Sequence, residues 1–137
     1  MFFNFGKASL MRFHTLEEKL QRVAEKTLAL GILDFSIVCG HRTKEEQDRA
    51  LAEGKSKVSW PKGKHNFYPS KAMDLCPFVN GKLSWNKLHC CVLAGLVLAV
   101  AKMEGVKLRW GGNWNSDGEP ITDQAFQDLV HFELVED

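Results

Sequence analysis

The sequence predicts a single domain of α+β fold, on three observations. Apolar residues recur at helical spacing in two long segments, and short apolar runs next to glycines predict strands. An Asn-Gly pair between apolar residues predicts a tight hairpin, which favours a mainly antiparallel sheet. The chain has 137 residues, of which 45% are hydrophobic and 26% charged, so we expect one ordinary globular domain over residues 1–137.

The first half of the chain predicts a helix, a strand and a second helix. Residues 16–28 carry apolar side chains at helical spacing, with Thr15 as the expected N-cap. Phe35–Cys39 is an apolar run that predicts a strand. Residues 44–53 predict a short helix capped by Thr43.

The second half begins with a long loop and continues with alternating strands and helices. The loop, residues 55–70, contains prolines, glycine and lysines without periodicity, and long ordered loops in compact domains are often functional. Four lysines cluster loosely in it, and we expect a solvated loop there. The remaining elements are expected as a buried strand 72–76, a hairpin 78–83, a core helix 85–104, a strand 107–110, a short helix 123–129 and a last strand 131–135.

Composition excludes several classes of partner. The chain carries 18 basic and 17 acidic residues, a formal charge of +1, which favours neither nucleic acid nor an anionic membrane as the main partner. The N-terminus lacks the pattern of a signal peptide, and the longest apolar run, residues 90–101, is too short to span a bilayer. The four cysteines form no CxxC pair, so we expect reduced thiols and no cysteine zinc site.

Two of the five histidines lie near carboxylates in a way that suggests a metal site. Asp74 stands inside an apolar run nine positions after His65, and a buried carboxylate is costly unless it is paired or binds a metal. His131 begins another apolar strand, three residues after Asp128. Two imidazoles and one carboxylate are three zinc ligands, which leaves a position for water, and Asp128 has the right chemistry for a general base. Such spacings also arise by chance, so alone they leave the site open.

Four sequence blocks, read together, resemble the M15 peptidase family, which contains D-alanyl-D-alanine carboxypeptidases and dipeptidases and phage L-alanyl-D-glutamate endopeptidases. The first block has a strand followed by Gly40, Arg42, Thr43 and a downstream Gln47. The others are Lys-His with a later Ala-x-Asp in residues 59–75, Arg-Trp-Gly-Gly-Asn-Trp in residues 109–114, and Asp-x-x-His-x-Glu-Leu in residues 128–134. The opening Phe-Gly-Lys and the chain length point to the compact phage endolysin branch.

The resemblance implies a DD-peptidase/hedgehog-like fold and a role for each matching residue. It implies a Zn²⁺ ion held by His65, Asp74 and His131, with Asp128 as the base. Arg42 matches the arginine that helps to hold the substrate carbonyl and stabilises the developing oxyanion. Further residues expected to orient these groups or to contact substrate are Gln47, Asn113, Trp114 and Glu133, the last of which could instead face solvent.

Two positions depart from the family pattern. Eight residues separate His65 from Asp74, more than in the common family form, and Asn113 stands where an aspartate is usual. We expect Asn113 to alter local hydrogen bonding or substrate preference without abolishing metal binding. Trp110 and Trp114 either line the cleft or fill the core.

The resemblance implies a zinc-dependent endolysin that hydrolyses the peptidoglycan stem peptide, at the L-alanyl-D-glutamate bond, and so lyses the bacterial cell wall. One alternative keeps the zinc chemistry but cuts D-alanyl-D-alanine, and another is a zinc-stabilised wall-binding module without catalysis. We expect a monomer with no separate wall-binding domain and no membrane insertion. It would stay in the host cytoplasm until a separate holin-like protein allowed its release.

Overall fold

The computed structural model describes residues 2–119 and 127–136, and within them the chain folds as an α+β domain. The helices and strands, in chain order, are α1 (Lys7–Phe13), α2 (Glu18–Ala29), β1 (Phe35–Cys39), α3 (Lys44–Ala52), a 3₁₀ turn (Lys64–Asn66), β2 (Ala72–Val79), β3 (Lys82–Leu83), α4 (Lys87–Met103), β4 (Leu108–Gly111) and β5 (Asp128–Leu134). None of the helices in the described residues combines the length and the apolar character that a membrane span needs.

All the strand pairs of the sheet are antiparallel, as the hairpin signal predicted. The strand order is β1-β2-β5-β4, and β3 pairs with the far end of β2. The β2–β3 turn contains Asn80 and Gly81, both with positive φ, which is the backbone that a two-residue hairpin of this type requires.

Alternation along the strands separates an apolar face from a polar face. Met73, Phe132 and Trp110 lie opposite one another on β2, β5 and β4 and are buried. Their neighbours in sequence point to the other face of the sheet, because successive side chains of a strand alternate. Asp74 and His131 are directly opposite each other on that second face. Burial of the apolar face therefore fixes the side on which the charged residues lie.

Helix α4 packs against β2, β4 and β5, and α2 packs against α4. The main core joins both helices to the apolar face of the sheet, with Leu20, Val97 and Phe132 among its fully buried members. Burial of such side chains provides most of the free energy that stabilises the fold, at roughly 1.5–3 kcal/mol for each large one.

Several boundaries differ from the sequence predictions. Helix α1 was not predicted. Glu17 rather than Thr15 caps α2, since the Thr15 hydroxyl donates to the Arg12 carbonyl instead. Helix α4 begins after Asn86, whose side chain accepts hydrogen bonds from the first turn, so residue 85 lies outside the helix.

The prediction of a short helix at residues 123–129 is wrong for its last two residues. Asp128 and Leu129 belong to β5, where Asp128 pairs with Gly111 of β4. The remainder of that prediction, residues 123–126, lies outside the described residues. The strand at Phe35–Cys39 and the helix capped by Thr43 are confirmed, the latter with a complete capping box to Glu46.

Candidate metal and catalytic site

Three buried side chains from distant parts of the chain meet on the polar face of the sheet. Asp74 and His131 are opposite each other on β2 and β5. His65 reaches them from the 3₁₀ turn of the long loop. The amide of Lys71, directly after the loop, donates to the Lys64 carbonyl and so closes the loop beside β2. The eight residues between His65 and Asp74 therefore still allow the two side chains to converge.

The three side chains place their ligand atoms at the corners of a small triangle. Nε2 of His65 lies 3.1 Å from Oδ1 of Asp74 and 3.3 Å from Nδ1 of His131. The third edge, from Nδ1 of His131 to Oδ1 of Asp74, is 3.2 Å. A nitrogen–nitrogen contact beside a shared carboxylate oxygen needs a proton or a metal ion between the atoms.

The outer nitrogen of each ring is held by an acceptor. Nδ1 of His65 donates to the Gly40 carbonyl at 2.7 Å, and Nε2 of His131 donates to Oε1 of Glu133 at 2.8 Å. The second oxygen of Glu133 accepts from the guanidinium of Arg109 at 2.9 Å. These bonds fix the tautomers, because the outer nitrogens carry protons, so that each ring, once it is neutral, directs its lone pair into the triangle.

The charges in the triangle strongly influence one another. Burial lowers the pKa of His65, but the Asp74 carboxylate outweighs it and raises the pKa to about 10. Burial likewise lowers the pKa of His131, and hydrogen bonds to Asp74 and Glu133 raise it to about 9. Burial raises the pKa of Asp74, yet the two imidazoles hold that pKa well below its ordinary range. The cluster is therefore a buried carboxylate that attracts positive charge.

Asp128 joins the site because of an irregularity in strand pairing. It stands three positions before His131, which would place the two side chains on opposite faces of a regular strand. The register between β4 and β5 shifts between Trp110 and Gly111, and both Asp128 and His131 line the same cleft. A Cβ on Gly111 would lie only 2.0 Å from the Asp128 carbonyl oxygen, so this close approach requires glycine. Burial, and then the charge of Asp74, raise the pKa of Asp128 to about 6.

Arg42 is held beside Asp74 by a buried glutamine. Its Nη2 lies 3.8 Å from Oδ2 of Asp74, and its Nη1 donates to Oε1 of Gln47 at 2.9 Å. Gln47 is only 1% exposed and also accepts from Asn66, while its amide nitrogen donates to Ser56 and to the Val58 carbonyl. Gln47 therefore connects the arginine to both ends of the long loop.

A cleft of about 420 Å³ opens over the triangle. Trp114 lines the cleft, with its ring 5.5 Å from that of His131, whereas Trp110 is buried in the core. Of the two roles considered from the sequence, Trp114 therefore lines the cleft and Trp110 fills the core. Asn113 lies beside the cleft wall and donates to the Asp117 carbonyl at 2.6 Å. Its own Oδ1 is buried and has no hydrogen-bond partner among the described residues.

Cys39 is the remaining side chain that could serve a metal here. Two groups in the described residues have the composition and spacing for a metal ion, and both contain Asp74: one adds Cys39 and His65, the other Asp128 and His131. The Cys39 sulfur faces Nδ1 of His65 at 3.7 Å, on the side of the ring that already donates to Gly40. We therefore place Cys39 outside the triangle. All four cysteines are free thiols, as predicted.

Some contributors to the site had no recognisable signal in the sequence. The Gly40 carbonyl and the Asn66 amide act through backbone position and loop geometry, which a motif does not reveal. Arg109 could have been found, because it is the first residue of the block at residues 109–114 and lies opposite Glu133 on the neighbouring strand. Strand alternation alone would have given Glu133 the same face as His131.

The chain is similar over nearly its whole length to proteins of one described activity. The family model for phage L-alanyl-D-glutamate peptidase matches residues 1–135. The L-alanyl-D-glutamate peptidase of Escherichia phage T5 is 38% identical over 139 residues, which cover 98% of this chain and 100% of that protein. The crystal structure of the Serratia marcescens L-Ala D-Glu endopeptidase ChiX matches with a TM-score of 0.76 at 23% identity, covering 96% of this chain and 90% of that one. At that identity, the structural similarity supports the fold.

Proposed function

We propose that this chain, which belongs to the phage L-alanyl-D-glutamate peptidase family, cuts peptidoglycan stem peptides with a zinc ion held by His65, Asp74 and His131. Its family makes it a peptidoglycan peptidase, and both relatives compared above are named for the L-alanyl-D-glutamate bond. Their names favour that bond over D-alanyl-D-alanine.

The observation that supports zinc is the triangle of ligand atoms. Its edges of 3.1, 3.2 and 3.3 Å are close to the ligand–ligand distance of about 3.3 Å expected for tetrahedral zinc with bonds of about 2.0–2.1 Å. Two imidazoles and one carboxylate are a ligand set of catalytic zinc sites, which keep a fourth position open. The contacts of His65 to Gly40 and of His131 to Glu133 are the outer hydrogen bonds that zinc-binding histidines generally make.

When bound, zinc would supply a Lewis acid that polarises the scissile carbonyl and activates water. Asp128 then has a separate task as the general base. It takes a proton from the attacking water and delivers it to the nitrogen of the departing D-glutamate residue, so that one water is consumed for each bond cut. Its position in the cleft beside His131, and a pKa raised to about 6 by burial and by Asp74, suit a carboxylate that is ionised at neutral pH yet accepts a proton readily.

Arg42 stabilises negative charge that develops on the carbonyl oxygen. Its guanidinium lines the cleft and is fixed by Gln47, so little reorganisation is needed when the charge appears. Nη2 of Arg42 also lies 3.8 Å from Oδ2 of Asp74, a distance that allows an ion pair but is too long for a hydrogen bond.

The proposed chemistry is tested by mass spectrometry of fragments released from purified peptidoglycan. Untreated, chelated and zinc-reloaded protein are compared, together with the zinc content of each sample. We expect fragments that begin at D-glutamate, lost on chelation and restored by zinc. Loss of terminal D-alanine alone would move the cut to the other bond. Bound zinc without any fragment would favour a non-catalytic binding module.

The role of Asp128 is tested separately from the metal. In Asp128→Asn the side chain keeps its size and loses its basicity, so we expect turnover to fall by about 10²–10⁴-fold. Zinc content and thermal stability should stay near those of the original protein. Full turnover in this variant would disprove the assignment, and loss of zinc would instead make Asp128 a ligand.

The biological setting is part of the proposal. The family is a phage family, and cell-wall hydrolysis by its members fits an endolysin that acts on the host wall. We propose that release to the wall depends on a separate holin-like protein, and that the enzyme works as a monomer. Lysis of cells that express the chain with and without such a protein tests the first point.

A further inference from the structure

We propose that Lys62 and Lys64, called here the lysine pair, make the cleft select a free carboxylate on the D-glutamate residue that follows the cut bond. This inference rests on the proposed function and specifies it further. Both lysines line the cleft together with His65 and Asp128. They belong to the loop whose lysines the sequence suggested were merely solvated.

The cleft is far more cationic than the chain as a whole. Its lining includes six lysine and arginine side chains but only two carboxylates, in a protein whose formal charge is +1. A second cavity of about 470 Å³ shares Arg42 and Lys55 with the cleft and contains Asp74 in its wall. That cavity is nearly balanced, with four cationic side chains and three carboxylates. An anionic part of the substrate is therefore attracted to the cleft rather than to the second cavity.

Most of the other cations in the cleft already have acidic partners. Arg109 is bound to Glu133, Arg42 lies next to Asp74, and Lys55 is 3.3 Å from Glu53. Within the described residues neither member of the lysine pair forms an ion pair within 4.0 Å.

Lys64 lies near an acidic residue outside the cleft. It contributes to lowering the pKa of Glu136, but that carboxylate is bound by Lys71, and Lys71 is the main cause of the shift. The charges of the lysine pair are thus available to meet an anion in the cleft.

The chemistry of the substrate identifies that anion. Of the two residues that flank an L-alanyl-D-glutamate bond, alanine contributes only a methyl group. Glutamate has two carboxyl groups, of which chain continuation uses one at most, so the other remains a carboxylate or becomes an amide. A cationic wall distinguishes these two forms, because an ammonium attracts a carboxylate and gains much less from a neutral amide.

The segment that carries the lysine pair is anchored next to the catalytic groups. Gln47 donates to the Val58 carbonyl and accepts from Asn66, whose side-chain oxygen accepts from the Gly63 amide. Gly63 lies between the two lysines in the sequence, so these hydrogen bonds hold the backbone that carries both lysines. Such anchoring reduces the entropy lost when the lysines hold a substrate group.

The test compares two soluble substrates that differ only in this group. One is an N-acetylated L-Ala-D-Glu peptide with the free carboxylate, and the other carries the corresponding amide. Steady-state kcat and KM are measured for the zinc-loaded original protein, for Lys62→Gln, Lys64→Gln and the double variant, and for Lys102→Gln as a control on α4 far from the cleft lining.

We expect the original protein to prefer the acid by about tenfold in kcat/KM, since two partly exposed ion pairs change an equilibrium by a few fold each. The double variant should lose most of this preference through a higher KM for the acid, with kcat and the rate on the amide nearly unchanged. The preference of the original protein should also shrink as salt is added. Lys102→Gln should behave as the original protein.

Equal rates on acid and amide in the original protein would overturn the inference while leaving the proposed peptidase intact. An acid preference that persists in the double variant would also overturn it, because other groups would then recognise the carboxylate. Failure to cut either substrate would contradict the proposed function itself, and the inference with it.

Discussion

Replacing Glu133 by glutamine should weaken zinc binding although the side chain keeps its size. The carboxylate accepts from Nε2 of His131 at 2.8 Å with one oxygen and from Arg109 at 2.9 Å with the other. A glutamine has one acceptor and one donor end, so it cannot satisfy both donors. If the amide oxygen faces His131, the amide nitrogen faces the guanidinium. If the amide is reversed, it favours the tautomer of His131 that carries its proton on Nδ1, inside the triangle.

The size of this effect follows from what the outer hydrogen bond does. Loss of such a partner typically reduces metal affinity by about 10–100-fold, or about 1.4–2.8 kcal/mol. We expect a change in this range for Glu133→Gln, measured as the zinc dissociation constant by competition with a chromophoric chelator. Glu136→Gln is the matched control, since that carboxylate lies just beyond β5 and is bound by Lys71 outside the triangle.

A second substitution separates tautomer control from general damage. Arg109→Leu in the Glu133→Gln background removes the guanidinium that conflicts with the amide nitrogen, so the glutamine oxygen is free to accept from His131. The double variant should therefore bind zinc more tightly than Glu133→Gln alone. Unchanged affinity in Glu133→Gln, or a double variant weaker than the single one, would refute this account of the triangle.

Four further predictions concern protonation, strand spacing and the arginine. Zinc binding to metal-free protein at pH 7.5 should release about two protons. The pKa values of His65 and His131, about 10 and about 9, keep both rings protonated until the metal binds. Calorimetry in buffers of different ionisation enthalpy measures the number of protons released, and a value of zero would contradict the prediction. Because both pKa values are raised above the ordinary value, the protonated rings also stabilise the metal-free protein. This contribution to the free energy of unfolding is complete below about pH 6.5 and is lost as pH rises through 9–10, and thermal unfolding at several pH values measures it. Gly111→Ala should lower turnover and destabilise the fold by about 1–3 kcal/mol, measured by urea unfolding, since the added Cβ would lie 2.0 Å from the Asp128 carbonyl oxygen. The control is Gly95→Ala on α4, where a Cβ meets open space, and this variant should stabilise the fold by about 0.5–1 kcal/mol. Gln47→Leu should lower kcat more than it raises KM, because Arg42 loses its fixed position. Steady-state kinetics on the acid substrate measure both constants, and a change in KM alone would contradict the prediction.

Much of the architecture could be predicted because burial and turn chemistry act locally. Phe35–Cys39 is apolar throughout, Thr43 and Glu46 form a capping box, and Asn80-Gly81 fits only a tight turn, so each element is determined by a few neighbouring residues. The resemblance to phage L-alanyl-D-glutamate peptidases is confirmed by the family match. Helix α1 was missed because its apolar residues, spread over seven positions, do not repeat long enough to show a period.

The geometry of the site was harder to predict from the sequence, because it depends on pairing between distant strands. Nothing local distinguishes Asp128 in a strand from Asp128 at a helix end. Its strand state comes from pairing with Gly111, and its direction comes from the register shift beside that pair. The motifs named His65, Asp74 and His131 as ligands, but the 3.1–3.3 Å triangle among them depends on a loop closure and a strand register that no spacing encodes.

The two faces of the sheet contribute unequally to stability, and this suggests why the charged residues are where they are. On one face Met73, Phe132 and Trp110 bury apolar surface against α4, which favours folding. On the other, Asp74 and His131 are buried as charges, and such pairs rarely stabilise a protein as much as apolar residues of the same size. A chain selected only for stability would place apolar side chains at both positions. The core therefore supports a face that stabilises the protein less than apolar residues would, and a metal bound only to the folded state would add stability.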